Sequence, residues 1–499
     1  MEHFGLLSLL PSVLALALAI WSKRVIPSLL VGILVGTIII DANANGFLHS
    51  ILFSIVNLFS AIAGHPGNEE LGLRGMGLMS SPGRAEIIIV ILLLGAFIAV
   101  LNRSGGAFAF GKWLSGKVKS ESGAQLSTVA MGSSLFTSAY FSSLATGTVF
   151  KPIYDRMKIS REKLAFFLDS TSAPINVLVP ISGWVAFMGA LMVDNIPGVN
   201  DPILGLMKTI PYNFYNLVII GFVLLLASGK IKDFGPMKKA EERARNHTYR
   251  NELEQTAAEA SAAAEMGIKK GKVSDMILPL GVSVGLLVVL GLWNYTISPM
   301  LETAKLPLGG NQMLIISFSV GLCIAFIKYT ASKLMSPKEF LDEMMEGSKS
   351  VILGAVIITL AVTLGDIMRA AAPEGTGAAM YIAEVAGGVI PSAIIPVSVF
   401  LLAAFVSFSM GTSWGTWAIM MPIAVTLTLA TGGNPFLAAA AVLSGGTFGD
   451  HTSPISDTSV MSSVGADCEH MDHVNTQLPY ALTAAGISSV IFLIAGFVL

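Results

Sequence analysis

The feature that most constrains this chain is a succession of apolar stretches running from its first residues to its last. They lie near residues 6–22, 25–40, 47–63, 86–102, 124–150, 163–193, 210–228, 276–299, 313–328, 350–370, 376–390, 393–410, 413–430, 434–449 and 480–499. About 20 apolar residues in a helix cross a hydrocarbon core, so the chain is expected to be an all-α polytopic membrane protein with about 10 to 13 transmembrane helices. Hydrophobic residues make up 53% of the sequence and charged residues only 12%, which excludes an ordinary water-soluble enzyme. The run from Leu6 to Trp21 lacks the basic flank and small-residue cleavage site of a signal peptide and is read as a retained first span. Cys323 and Cys468 are too few and too distant to form a disulfide framework.

Some stretches are too short or too polar to span alone. Residues 376–390, 434–449 and the Ser/Gly-rich 127–148 are expected to be re-entrant hairpins or broken helices, which persist at membrane depth only when buried in protein or lining a wet cavity. Lys/Arg clusters at Lys23-Arg24, Lys151 to Lys163, Lys230 to Lys272 and Lys328 to Lys349 are assigned to the cytoplasmic side. Beyond Arg369 there is no Lys or Arg, so that rule does not orient the final spans. The expected organisation is an amino-terminal transmembrane repeat over 1–228, a charged cytoplasmic linker over 229–275 with a helix-like run from Ala240 to Glu265, and a carboxyl-terminal repeat over 276–499.

Ionisable groups inside apolar surroundings are costly and mark function. The segment Ser444 to Val460, SGGTFGDHTSPISDTSV, carries Asp450, His451 and Asp457 among hydroxyls, and a shorter echo, DSTSAPI, begins at Asp169. Placing Pro152 on Pro422 aligns Ser143-Leu-Ala-Thr-Gly-Thr-Val-Phe-Lys-Pro-Ile with Ser413-Trp-Gly-Thr-Trp-Ala-Ile-Met-Met-Pro-Ile. Two hydroxyl-rich, proline-broken segments at matching places point to a transporter's central binding site between repeats; that the repeats are inverted is a further expectation.

Pro454 disfavours helix at Ser453, so the backbone from Thr452 to Ser456 is expected to open and expose carbonyl oxygens. With Asp450, Asp457, Ser453, Ser456 and Thr458 these would make an all-oxygen shell for a hard cation such as Na⁺, and Asp169, Thr171 and Asn176 around Pro174 would contribute the same from the other half. A carboxylate at that depth binds either a proton or a cation, which makes the two competitors for one site. Capping of broken helices is the plainer role for these aspartates. His451 is a candidate proton relay, and Thr146, Thr412, Ser413 and Glu384 are candidate pathway residues. Asp366 stands three residues before Arg369 and is read as its helical ion-pair partner.

Two patterns are decoys. Gly411-Thr-Ser413-Trp-Gly415 matches a hydrolase elbow, but that motif has meaning only between a strand and a helix of a soluble sheet. Cys468-Glu-His470-Met-Asp-His473 has zinc-type donors in no zinc spacing and is read as a polar loop. No phosphate-binding loop occurs, so transport is not fuelled by such an ATPase within this chain.

The segments Gly411 to Ile423, Gly446 to Ser463 and His473-Val-Asn-Thr-Gln-Leu-Pro-Tyr480, with the opening Lys23-Arg24 followed by Pro27-Ser-Leu-Leu-Val-Gly-Ile, resemble the NhaC family of Na⁺/H⁺ antiporters over nearly the whole chain. The long linker and Asp366 depart from that pattern. The resemblance implies two inverted repeats with re-entrant hairpins and exchange of Na⁺ or Li⁺ for H⁺ across a bacterial inner membrane, without a cofactor. It leaves open coupled transport of a small carboxylate or amino acid. The expected partners are Na⁺, H⁺ and the bilayer, not nucleic acid; related folds suggest a homodimer.

Overall fold

The computed structural model describes residues 2–64, 77–78, 82–116, 118–136, 138–180, 182, 184–246, 269–294, 308–386 and 391–499. No strand occurs among them. The first half contains α1 (Leu10–Ser22), α2 (Val25–Asn45), α3 (Phe47–Leu52), α4 (Ser54–Ala63), α5 (Pro82–Arg103), α6 (Gly106–Ser115), α7 (Glu121–Ser134), α8 (Ala139–Met157), α9 (Arg161–Leu178), α10 (Val185–Asn195), α11 (Pro202–Thr209) and α12 (Phe214–Ala227). A connecting helix α13 (Gly235–Asn246) follows. The second half contains α14 (Val273–Leu292), α15 (Gly310–Ala331), α16 (Pro337–Ser350), α17 (Ile352–Arg369), α18 (Ala378–Ala386), α19 (Ile395–Met410), α20 (Ser413–Ala430), α21 (Pro435–Thr452), α22 (Asp457–Ala466) and α23 (His470–Val498).

Local sequence explains several helix starts. Ser120, Ser138, Ser160 and Ser456 each accept a backbone N–H from the first turn of α7, α8, α9 and α22. Asp201 and Asn434 do the same for α11 and α21, each followed by proline at the first helical position, where no N–H is needed.

Nine helical spans among the described residues are long and apolar enough to cross a membrane. A tenth is obtained when Pro202–Tyr212 and Phe214–Ala227, which meet at 61°, count as one bent span. That total sits at the low edge of the expected range because several apolar stretches fold as broken or half-length helices. Residues 163–193 divide into α9 and α10, and 127–148 divide between α7 and α8. The segment 434–449 lies within one continuous buried helix, α21, whose non-helical break follows it; α22 beyond that break has only ten residues. Within 376–390, α18 forms a short helix, and residues 387–390 fall outside the described set. Most of the charged run from Ala240 to Glu265 also lies outside it.

Helix contacts recur in reciprocal pairs. The sets α7–α8–α9–α10 and α19–α20–α21–α22 follow one another in the same order, each with breaks at corresponding places. Contacts of α7 with α9 and α8 with α9 are matched by α19 with α21 and α20 with α21. Across the halves, α8 packs on α22 as α10 packs on α20, and α5 packs on α15 as α17 packs on α2. The central member, α21, is buried along nearly its whole length. Its small residues permit that: a Cβ on Gly445 would stand 2.4 Å from the carbonyl oxygen of Phe400, and one on Gly449 2.2 Å from that of Ala404. Lipid does not drive helices together as water does, so close backbone approach supplies the packing instead. The outer faces carry large apolar side chains such as Leu401, Phe405 and Val490.

Candidate functional site

The first turn of α22 touches three aspartates. Ser456, its N-cap, donates to Oδ1 of Asp450 at 2.7 Å. Asp457 receives the hydroxyl of Tyr140 from α8. Ser459 donates to Oδ2 of Asp169 at 2.8 Å. The turn lies here because α21 ends at Thr452, Ser453 is extended before Pro454, and Ser456 is extended again before capping α22. This is the opening that a residue preceding proline favours.

Asp450 belongs to the last turn of α21, yet its other oxygen sits at the amino terminus of α20. Oδ2 accepts from the hydroxyl of Ser413 at 2.5 Å and from its N–H at 3.2 Å. The helix dipole and two donors thus favour a negative charge there. Asp450 and Asp457, with Thr458, Thr412 and Tyr140, line a cavity of about 300 Å³. Trp184 and Trp414 form an aromatic wall, their rings edge to face at 6.0 Å, and Phe187 backs Trp414 at 4.6 Å. No Lys, Arg or His is among the described lining residues.

Asp169 belongs to a separate, fully buried cluster. Besides Ser459, its Oδ2 meets Nε2 of His473 at 3.3 Å and the amide of Gln477 at 3.1 Å, both from α23. His451 stands 3.9 Å away, held by the Tyr215 hydroxyl at 2.7 Å on Nδ1 and by Ser170 at 3.2 Å on Nε2. Gln477 also donates to the His451 carbonyl at 2.5 Å. Oδ1 of Asp169, Nδ1 of His473 and Oε1 of Gln477 are buried without a hydrogen-bond partner. Buried polar atoms without a protein partner are uncommon in folded proteins and call for an explanation.

The expected residues therefore fall into several places. Asp450, Asp457, Ser456, Thr458, Thr412 and Ser413 gather at or beside the cavity. Ser453 instead donates to the Phe408 carbonyl at 2.7 Å, holding α19. The opening expected around Pro174 is absent: α9 runs through it to Leu178, because the missing N–H removes one bond without forcing the chain apart, and the break follows at the end of the helix. Thr171 bonds the Phe167 carbonyl at 2.7 Å and Asn176 the Ser172 carbonyl at 2.8 Å, leaving Asn176 Oδ1 buried and unpartnered. Thr146 is buried on α8 with its hydroxyl unpartnered. Glu384 is not near the cavity; it is exposed and pairs with His3 at 2.6 Å. A single shell drawn from both halves is not what forms, and no group of three or more His, Cys, Asp or Glu side chains converges as metal ligands among the described residues.

The polar loop expected over 468–473 is in part helix: His470 and His473 lie in α23, and His473 faces Asp169. Its four-residue spacing from Gln477, which puts both on one helical face, was the available signal. Tyr140, Tyr215 and Ser459 had none, since their role depends on which helix lies opposite.

The sequence pattern of the Na⁺/H⁺ antiporter family matches residues 3–204 and 201–497. The chain belongs to that family. This antiporter-family chain is 31% identical over 506 residues to an uncharacterised protein of Haemophilus influenzae, covering 98% of this chain and 91% of that one. It is also 35% identical over 124 residues to the malate-2H(+)/Na(+)-lactate antiporter of Bacillus subtilis, which covers 23% of this chain and 26% of that protein. The fold is similar to the YdaH transporter of Alcanivorax borkumensis, with a TM-score of 0.57 at 13% identity over 91% of this chain and 90% of that one. The family is one of multi-pass membrane antiporters rather than enzymes, and Ser413 here is a hydrogen-bond donor to Asp450.

Proposed function

We propose that this antiporter exchanges Na⁺ or Li⁺ for H⁺ at the Asp450–Asp457 pair. The observation that carries the reading is that two carboxylates line one cavity with no basic side chain among its described lining residues. Charge in such a place needs a compensating cation or proton, because an unpaired ion removed from water is costly. Either occupant satisfies the pair and each displaces the other, which is the elementary requirement of exchange. Hydroxyls of Ser413, Ser456 and Thr458 supply the neutral oxygens of a hard-cation shell. Asp169, linked to the same helical turn through Ser459, is the third exchangeable carboxylate.

The test uses purified protein in sealed liposomes with an imposed pH gradient, to which Na⁺, Li⁺ or K⁺ is added while internal pH is followed. Selective collapse by Na⁺ or Li⁺ without another solute supports the reading, and Asp457→Asn abolishes it while the protein still inserts. Unchanged exchange by that variant removes Asp457 from the mechanism. No response to any cation removes ion-only exchange.

A further inference from the structure

The cavity beside Asp450 and Asp457 is much larger than an ion requires. One water-sized occupant needs roughly 10–15 Å³. The cavity measures about 300 Å³, which reaches the lower end of the range of about 300–1,000 Å³ typical of small-molecule pockets. Its chemistry is equally specific. The carboxylates stand at one side, and the indoles of Trp184 and Trp414 stand in the walls with Ile98 and Ile357.

A carboxylate-bearing solute finds no cationic side chain among the described lining residues. Arg369, the last Lys or Arg of the chain, is bound to Asp366 at 3.0 Å and to Asn195 at 2.6 Å. Arg84 is held between Asp366 at 2.6 Å and Asp194 at 2.7 Å. An anion in the cavity would face two acidic groups. An ammonium group meets the opposite conditions: carboxylates accept its N–H bonds, and the indoles lining the cavity supply aromatic partners of the kind that favour cations.

We infer that the cavity binds a small organic cation with a primary ammonium group, its nitrogen at Asp450 and Asp457 and its carbon skeleton against Trp184 and Trp414. This rests on the reading of the aspartate pair as the exchange site. It goes beyond that reading by giving the rest of the cavity an occupant. A simple amine and the ammonium end of an amino acid share this chemistry.

The experiment measures equilibrium binding of isotope-labelled n-propylammonium to detergent-purified protein in Na⁺-free potassium buffer, with Na⁺, lysine and lactate as competitors. Saturable binding displaced by Na⁺ but not by lactate is expected. Displacement by lysine shows that a carboxylate elsewhere on the cation is tolerated, and its failure restricts the site to simple amines. Asp457→Asn weakens binding by at least about tenfold and Trp414→Leu by about three- to tenfold. Size-exclusion profiles confirm that each variant is folded; the more conservative Trp414→Phe, which keeps an aromatic face, retains most of the affinity. Absence of saturable binding overturns the inference, as does binding of labelled lactate in its place. Na⁺-driven collapse of a pH gradient is measured on the same preparation. Ammonium binding without Na⁺ exchange defeats the ion-exchange reading alone, and Na⁺ exchange without ammonium binding defeats the inference alone.

Discussion

At the scale of single residues, the acidic groups were legible and most of their partners were not. Asp169, Asp450 and Asp457 stand out in sequence because ionised side chains in apolar runs demand a reason. Tyr140 and Ser459 are ordinary membrane-helix residues until the fold sets them against Asp457 and Asp169. Glu384 shows the converse: an acidic residue in an apolar run that faces outward and pairs with His3. Ser413 offers a graded test because it supplies both a hydroxyl and an N–H to Asp450. Ser413→Ala keeps the backbone donor and removes the hydroxyl, a charge-assisted bond of about 1.5–3 kcal/mol. The expected outcome is an apparent Na⁺ affinity about tenfold weaker, read from the Na⁺ dependence of pH-gradient collapse in liposomes.

At the scale of helices, boundaries were written in caps and prolines, whereas packing was written in glycines whose meaning required the fold. Pro454 ends α21 where expected, while Pro174 does not end α9. Proline alone does not decide this, since α8, α14, α20 and α23 also run through Pro152, Pro279, Pro422 and Pro479. Between α8 and α22 the backbones approach directly: a Cβ on Gly147 would lie 2.3 Å from the carbonyl oxygen of Gly465. Gly147→Ala should therefore push the helices apart, costing about 1–3 kcal/mol and lowering the thermal unfolding midpoint in detergent. Outside the membrane spans, α13 docks through Glu241, which accepts from Ser160 at 2.6 Å on its hydroxyl and 2.9 Å on its N–H. Burial holds this carboxyl above its usual range, and Asp233 adds to the effect, against Lys163 and the Ser160 bonds. A raised value means that the docked state holds its proton more tightly than the undocked one. Docking is thus strongest at pH below the ordinary carboxylate range and weakens as pH rises through the raised value. Protection of residues 235–246, taken relative to the intrinsic exchange rate at each pH, should fall over that interval, and Glu241→Gln should remove that fall.

At the scale of the whole molecule, the length and spacing of apolar runs were enough to indicate a helical membrane protein, and the echo of Ser413–Ile423 in Ser143–Ile153 pointed to related halves. Neither indicated which helices would pair across the halves, because residue patterns on lipid-facing helices carry no partner information. The charge cluster Arg84–Asp194–Asp366–Arg369 belongs to this scale: it ties α5, α10 and α17 together across distant parts of the chain. The helical spacing of Asp366 and Arg369 found one pair, and Arg84 and Asp194 were invisible without the fold. Arg84→Ala removes the salt-bridge partner of Asp194 and leaves Asp366 with Arg369 alone, a loss of up to about 3–5 kcal/mol. The expected result is a marked fall in the yield of monodisperse protein, with partial recovery in the double variant Arg84→Ala/Asp194→Asn.

The turn that touches all three aspartates also bears on how faithfully the molecule converts one gradient into another. Ser456, Asp457 and Ser459 all lie in the N-cap and first turn of α22, so a displacement of that turn moves the partners of Asp450, Asp457 and Asp169 together. Coupling between ions then needs no relay, only that the turn move as a unit. Ser459→Ala cuts the link to Asp169 while leaving Asp450 and Asp457 their own donors. Such a chain should still admit Na⁺, yet slip: more ions crossing for each proton returned, measured as a changed Na⁺-to-H⁺ flux ratio in the same vesicles.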